Sequence, residues 1–379
     1  MAFTFTGEQT MIRDTAAAFS RDQLRPNAAR WDEESYFPVD VIRQAAELGF
    51  AGIYVNEDVG GSGLSRQDAV LIFEQLSHGD VSTAAYISIH NMVSWMIDRF
   101  GSDEQRQTWL PELTSMKKLA SYCLTEPSSG SDASGLKTKA VKDGDDYVLT
   151  GTKQFISGAG VSDIYLVMAR TGEDGPKGVS AFVVENGSDG LSFGANEKKM
   201  GWKSQPTRQV IMDGVRVPAA NRIGPEGDGF KYAMAGLDGG RLNIAACSLG
   251  GAQLALDKAL EYVKERKQFG KALADFQATQ FKLADMATEL EAARVFLYQA
   301  AKSLDDKAPD ATRWCAMAKR YVTDAGFKIA NDALQLHGGY GYLADYEMER
   351  IVRDLRVHQI LEGTNEIMRV IISRDLLKS

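Results

Sequence analysis

The apolar residues of this chain change their spacing twice, and few folds accommodate such a sequence. From Gly7 to about Lys118 they recur at helical intervals, as in Val39-Ile42-Ala46-Leu48 and Ala69-Ile72-Phe73-Leu76. Gly60-Gly61-Ser62-Gly63 interrupts this block, and Ser65 offers an N-cap for the helix that follows. Between about Leu119 and Pro225 the pattern becomes short β-branched and aromatic runs, including Tyr147-Val148-Leu149, Ile164-Tyr165-Leu166-Val167, Val179 to Val184 and Val210-Ile211-Met212. Asn186-Gly187, Asp189-Gly190 and Asp213-Gly214 read as turns between those strands. After Gly227 the helical period returns to about Glu265, with further helices over 273–303, 310–336 and 344–357 and a last one after Thr364. An α–β–α order in three blocks excludes the alternating pattern of a Rossmann domain. It predicts an α+β protein with an N-terminal α-helical domain over 1–118, a middle β domain over 119–226 and a C-terminal α-helical bundle over 227–379.

Charge and composition narrow the classes of function. A net charge of −8 argues against affinity won by neutralising nucleic-acid phosphates. No stretch approaches the ~20 apolar residues of a membrane span. Cys123, Cys247 and Cys315 are odd in number and widely separated, and the four histidines are scattered, so buried thiols are expected and no metal site. Met1 to Glu8 lacks a cationic start with an apolar core and the Arg-rich character of a transit peptide. A cytoplasmic protein is expected, or a matrix protein if a transit peptide has been removed.

Six segments carry candidate chemistry, and each has a plain structural reading beside the functional one. Tyr122-Cys123-Leu124-Thr125-Glu126-Pro127-Ser128-Ser129-Gly130-Ser131-Asp132 lies where helices give way to strands; it is a Ser/Gly turn or a place where backbone N–H groups meet an oxygen-rich ligand. Lys153-Gln154-Phe155-Ile156-Ser157-Gly158 puts an aromatic ring and a hydroxyl on one face of a strand, for a core or for a flat ligand. Asp238-Gly239-Gly240-Arg241 places two glycines inside a long helix at about 1–2 kcal/mol relative to alanine, so either a helix packs closely there or a ligand groove passes. Arg266 to Gly270, with Phe276-Gln277, ends that helix in positive charge, which satisfies a helix C-terminus or holds a diphosphate. Gln335-Leu336-His337-Gly338-Gly339 stops a later helix, with His337 as a cap or a core residue. Leu361-Glu362-Gly363-Thr364-Asn365-Glu366 sets Glu362 in a turn before a helix capped by Thr364.

These segments, in this order and spacing, resemble the motif set of the acyl-CoA dehydrogenase family over essentially the whole chain. Gly201 to Arg208, Asn221 to Gly224 and Val357 to Gly363 look most like its isobutyryl-CoA branch, among the short and branched-chain members. The resemblance implies a middle β-barrel, a C-terminal four-helix bundle, a homotetramer and FAD held between subunits. It implies FAD contacts from Tyr122, Cys123, Leu124, Thr125, Ser129, Gly130, Ser131, Phe155, Ile156 and Ser157, with Thr125 and Ser157 as hydrogen-bond donors to the isoalloxazine. Arg266, Phe269, Phe276, Gln277, Gln335, Leu336, His337, Gly338 and Gly339 would reach the FAD of a neighbouring subunit, completed by Thr364 and Glu366. Ser131, Asp238, Gly239, Gly240, Arg241, Gly363 and Arg374 would line the acyl-CoA groove.

By the same resemblance Glu362 is the catalytic base. It would take the α-proton of a short, branched acyl-CoA while the β-hydrogen leaves as hydride for the flavin, giving a trans-2-enoyl-CoA, with an electron-transfer flavoprotein as acceptor. The α-proton of a thioester is too weakly acidic for a solvated carboxylate, so burial must raise the pKa of Glu362 and donors must stabilise the enolate. Some members carry the base on the long helix, at the position that is Gly240 here. Phe155, Ser157, Ser128 and Asn56 replace the commoner tryptophan, threonine, glycine and proline, which bears on substrate choice and not on the reaction. The rival readings are a butyryl- or 2-methylbutyryl-CoA enzyme, an oxidase or oxygenase on the same fold, and a nucleic-acid-binding flavoprotein relative.

Overall fold

The computed structural model describes residues 5–378. Met1 to Thr4, part of the stretch read for targeting signals, and Ser379 lie outside the described residues.

The first block comprises α1 (Gly7–Phe19), α2 (Ala28–Glu34), α3 (Val39–Glu47), α4 (Arg66–Gly79), α5 (Val81–Phe100) and α6 (Asp103–Thr114). Ser65 caps α4 as expected: its hydroxyl accepts from Asp68 N at 3.1 Å, while Asp68 accepts from Ser65 N at 3.0 Å. The stripe Ala69-Ile72-Phe73-Leu76 is fully buried. It joins a core shared with α7 (Gly229–Glu265) of the last block, so the first and last blocks meet directly.

Between them lies one eight-stranded sheet made of β1 (Ala120–Cys123), β2 (Lys139–Asp143), β3 (Asp146–Ser157), β4 (Ile164–Arg170), β5 (Val179–Glu185), β6 (Leu191–Phe193), β7 (Thr207–Pro218) and β8 (Arg222–Ile223). The order is β6-β7-β3-β2-β4-β5-β8, with β1 paired parallel to β4 beside this path. Asn186-Gly187 and Asp189-Gly190 form turns between β5 and β6. Asp213-Gly214 does not; both residues lie inside β7. There the register slips between Leu149↔Val215 and Thr150↔Asp213, and Gly214 takes a φ of +71°. The dipeptide's left-handed preference is spent on a β-bulge, because twelve-residue β3 and β7 continue past it.

The last block adds α8 (Gln277–Asp305), α9 (Ala311–His337), α10 (Met348–Arg356) and α11 (Asn365–Leu376), with α9 packed on all of them and on α7. An ionic knot ties the three blocks together. Buried Arg350 of α10 lies 3.5 Å from Asp80, the cap of α5, and 3.9 Å from Asp354. Asp354 in turn accepts from the backbone N–H of Trp202, just before β7, at 2.6 Å. Nearby, Arg353 holds Asp32 of α2 at 2.6 Å. The three cysteines are free and buried. Among the described residues, no helix is long and apolar enough to cross a membrane.

Candidate active site

Glu362 occupies a strained turn between α10 and α11. It and Gly363 both have left-handed backbones, φ +56° and +88°, before the Thr364 hydroxyl caps α11 by accepting from Ile367 N at 3.3 Å. For a glutamate that conformation costs on the order of 1 kcal/mol or more, so the surroundings must impose it. Two long helices do so. Lys319 of α9 donates to the Gly363 carbonyl at 2.7 Å, and Arg241 Nε of α7 approaches the Glu362 carbonyl at 3.4 Å.

The turn aims the carboxylate at the paired glycines of α7. A Cβ on Gly240 would stand 2.6 Å from Glu362 Oε2 and 3.1 Å from Met92 Sδ. Gly239 is bare for a parallel reason: its missing Cβ leaves room for the guanidinium of Arg66. That buried guanidinium lies 3.6 Å over the Tyr54 ring and 4.7 Å over Trp95. The helix runs through both glycines unbroken, so they make room for side chains of this same chain.

Although Glu362 as a residue is partly exposed, its Oε2 is closed to solvent and has no hydrogen-bonding partner among the described residues. The surroundings of the oxygens set the acidity. Burial pushes the carboxyl up to about 7, against the opposing pull of the Arg241 and Lys319 charges. Arg241 keeps its i, i+3 partner Asp238 at 2.6 Å, and Asp238 accepts from Thr312 Oγ1 at 2.7 Å. The Tyr122 hydroxyl of β1 is buried without a partner among the described residues, and its acidity is suppressed by burial and then by the Glu362 charge. Tyr122, Arg241 and Glu362 thus come from three separate segments into one electrostatic neighbourhood.

The segment after β1 is stapled to β3. Lys153, with a side chain 0% exposed, donates to Glu126 at 2.7 Å and to the Leu124 carbonyl at 3.1 Å. Glu126 also accepts from Lys137 N at 2.6 Å and Thr138 N at 3.0 Å. Gln154 N donates to the Thr125 carbonyl at 2.8 Å, and the Ser129 hydroxyl closes the loop onto the Asp132 carbonyl. A register shift between Lys153 and Ile156 gives Phe155 a φ of +59° and leaves the residue 63% exposed. Thr125 and Ser157 are half-buried, Cys123, Leu124 and Ile156 are buried, and Gly130 and Ser131 are exposed.

The remaining predicted residues fall elsewhere. Arg266 ends α7, 25 residues beyond Arg241 and so roughly 37 Å along the helix at 1.5 Å per residue. Its guanidinium stands 5.2 Å over the Tyr340 ring. Phe269 is 94% exposed, edge-on to Phe276 at 6.3 Å, and Gln277 starts α8 in solvent. Gln335, Gly338 and Gly339 are exposed and Leu336 half-buried, whereas the His337 ring turns inward, stacked on Tyr262 at 4.3 Å with Nδ1 at 2.8 Å from the Ala333 carbonyl. Glu366 and Arg374 are exposed on α11.

Sequence reasoning missed Lys153, Glu126, Lys319 and Arg66. Lys153 left one usable signal, a lysine at an inward-facing strand position; the others left none without their distant partners.

The chain matches "Acyl-CoA dehydrogenase, N-terminal domain" over residues 6–117, the corresponding "middle domain" over 121–215 and the "C-terminal domain" over 227–377. It belongs to the acyl-CoA dehydrogenase family and is an oxidoreductase. Isobutyryl-CoA dehydrogenase, mitochondrial, of Dictyostelium discoideum is 58% identical over 98% of this chain and 90% of its own length. The solved structure of butyryl-CoA dehydrogenase from Megasphaera elsdenii is 39% identical with a TM-score of 0.96, covering 100% of both chains. A chain in the structure described as the electron transferring flavoprotein of Acidaminococcus fermentans is 41% identical with a TM-score of 0.97, again over 100% of both.

Gly240→Ala should displace the Glu362 carboxylate and lower kcat on the order of a hundredfold, with a far-ultraviolet circular dichroism spectrum like that of the parent. Steady-state kinetics at saturating substrate check this, and an unchanged kcat would mean that the carboxylate needs no such space.

Proposed function

We propose that this chain desaturates the α,β bond of isobutyryl-CoA or a similarly short, branched acyl-CoA, with Glu362 taking the α-proton. The observation that carries the reading is the Glu362 carboxylate: its Oε2 is buried without a partner among the described residues and pressed against Gly240, and the group is raised to about 7. A carboxylate poised there is a far better base at neutral pH than a solvated one. Arg241, fixed by Asp238, holds positive charge beside it, and Met92, Tyr54, Arg66 and Trp95 crowd the helix face around Gly239 and Gly240. That crowding suits a short acyl group, and the 58% identity to an isobutyryl-CoA dehydrogenase favours the branched one.

FAD is the cofactor that the local chemistry fits. The Phe155 ring on its bulge offers an apolar face, the nearby Thr125 and Ser157 hydroxyls offer hydrogen bonds, and the buried Tyr122 hydroxyl lacks a partner among the described residues. When bound, FAD would supply the two-electron oxidation that no side chain can. The chain's own part is to orient the thioester, exclude water and hold the abstracted proton on a Glu362 carboxyl oxygen. Because Arg266 lies so far from Arg241 on one helix, the edge formed by Arg266, Phe269 and Gln335 to Gly339 suits the cofactor of another copy, as a homotetramer would provide. The likeness to a chain in an electron transferring flavoprotein structure supports such a protein as electron acceptor.

Dye-reduction assays with isobutyryl-, butyryl- and 2-methylbutyryl-CoA on the yellow holoenzyme test this reading. Isobutyryl-CoA should lead in kcat/KM by roughly tenfold or more, the discrimination a single branch in an apolar pocket allows. A lead for butyryl-CoA would reassign the substrate, and a colourless protein inactive on all three would remove the function.

A further inference from the structure

Lys319 lies in the interior of α9, 0% exposed, and the reaction proposed above does not use it. Burying an ammonium costs desolvation that methionine or leucine in the same space would not. Its contacts say what it holds. The ammonium donates to the Gly363 carbonyl at 2.7 Å and to Asn365 Oδ1 at 2.9 Å, the residues on either side of the α11 cap. Asn365 is itself anchored to α9, donating to Asp324 at 2.8 Å and to Thr323 Oγ1 at 3.0 Å. The left-handed Glu362-Gly363 turn is therefore fastened to α9 through one cationic side chain.

We propose that Lys319 is a positioning residue for the reaction: its ammonium clamps the Gly363 carbonyl, fixing the turn that aims Glu362, and its charge favours the ionised form of that carboxylate. The inference rests on the reading of Glu362 as the base. Burial pushes Lys319 down to about 7, against Glu362, Asp324 of α9 itself and Glu366 of α11, while Arg241 of α7 pushes it down further. His358, between α10 and the turn, bonds Ser248 at 2.6 Å and is kept neutral by burial and then by Lys319. Burial thus brings base and lysine into the same pH range from opposite sides, so the charge of each governs the other.

The test uses the full-length holoenzyme with Lys319→Met, Lys319→Gln and Lys319→Arg. Losing the positive charge makes the carboxylate harder to form, so the acid limb of kcat/KM should move upward by at least about half a pH unit in both neutral variants. Their plateau kcat should fall roughly tenfold to a hundredfold with KM within about threefold, as for a misaimed base. Lys319→Arg, charged at every pH, should keep its limb at or below that of the parent. A readout independent of turnover is the pH at which the gap in thermal stability between Glu362 and Glu362→Gln stops widening, which is set by the folded-state carboxyl and should rise likewise in the Lys319→Met background. An unmoved limb in both neutral variants, or the same upward move in Lys319→Arg, would overturn the proposal. Failure of both neutral variants to fold would make the lysine a core element and overturn it too. Glu362→Gln, assayed in parallel, keeps the two readings apart: retained turnover removes the base, whereas an inactive variant with an unmoved Lys319→Met limb removes only the clamp.

Discussion

Glu362→Gln is expected to leave a folded, yellow protein whose kcat is lower by roughly a thousandfold or more, the upper part of what a positioned general base contributes. Glutamine keeps the shape of the side chain beside Gly240 and Met92 and loses only the capacity to take a proton. In the parent, kcat/KM should climb with pH to a plateau above about 7, because the free enzyme must present Glu362 ionised and burial has raised that carboxyl to about 7. Stability should run the opposite way. The folded state holds this proton more tightly than the unfolded chain, whose ordinary value is 4.5, so stability is lost as pH climbs from about 4.5 to about 7. The glutamine variant titrates nothing there. It should therefore unfold at a higher temperature than the parent above pH 7, with the gap closing towards pH 4. A pH series of calorimetric scans beside the kinetic profile measures both, and an inactive variant no more stable at pH 8 than the parent would mean that Glu362 ionises without strain.

Lys153→Met should produce the largest loss of stability, about 3–5 kcal/mol, the usual effect of stranding one member of a buried ion pair. Burial by itself would raise the Glu126 carboxyl, yet Lys153 and the hydrogen bonds from Thr138 and Lys137 hold it below its ordinary value. Without the ammonium, a closed-in carboxylate keeps only its two backbone donors. The loop from Leu124 to Asp132 then loses its fastening to β3, and thermal unfolding should begin about 5 °C lower. Adding Glu126→Gln to Lys153→Met removes the stranded charge while keeping an acceptor, and should restore part of the loss. A decrease below about 1 kcal/mol in the single variant would show that the loop is held by other contacts.

What local sequence could disclose follows from how far each determinant reaches. The block order was legible because hydrophobic period is a property of short windows, and the caps at Ser65 and Thr364 because each needs only its next three residues. Asp213-Gly214 misled for the same reason: the dipeptide states its preference for a left-handed backbone, but only the long pairing of β3 with β7 decides between turn and bulge. Glu362 could be picked out through the family's motif order, whereas its isolated turn would pass for a solvated one. Lys153 and Lys319 resemble surface lysines because their partners lie 27 residues away at Glu126 and 44 residues away at Gly363. The left-handed φ of Phe155 and of Glu362 is likewise imposed from outside, by a register slip and by two helices.

The ionic knot of Arg350, Asp80, Asp354 and Trp202 bears on how this enzyme can be dismantled. The first and last helical blocks share the buried contact of Asp80 with Arg350, and the sheet block adds a backbone N–H to Asp354, so excising the last block leaves Asp80 without its cation and excising the first strips Arg350 of one carboxylate. Recombining blocks between relatives will therefore succeed best where Asp80, Arg350 and Asp354 travel together, which makes the two helical blocks one unit of inheritance although the sheet separates them along the chain.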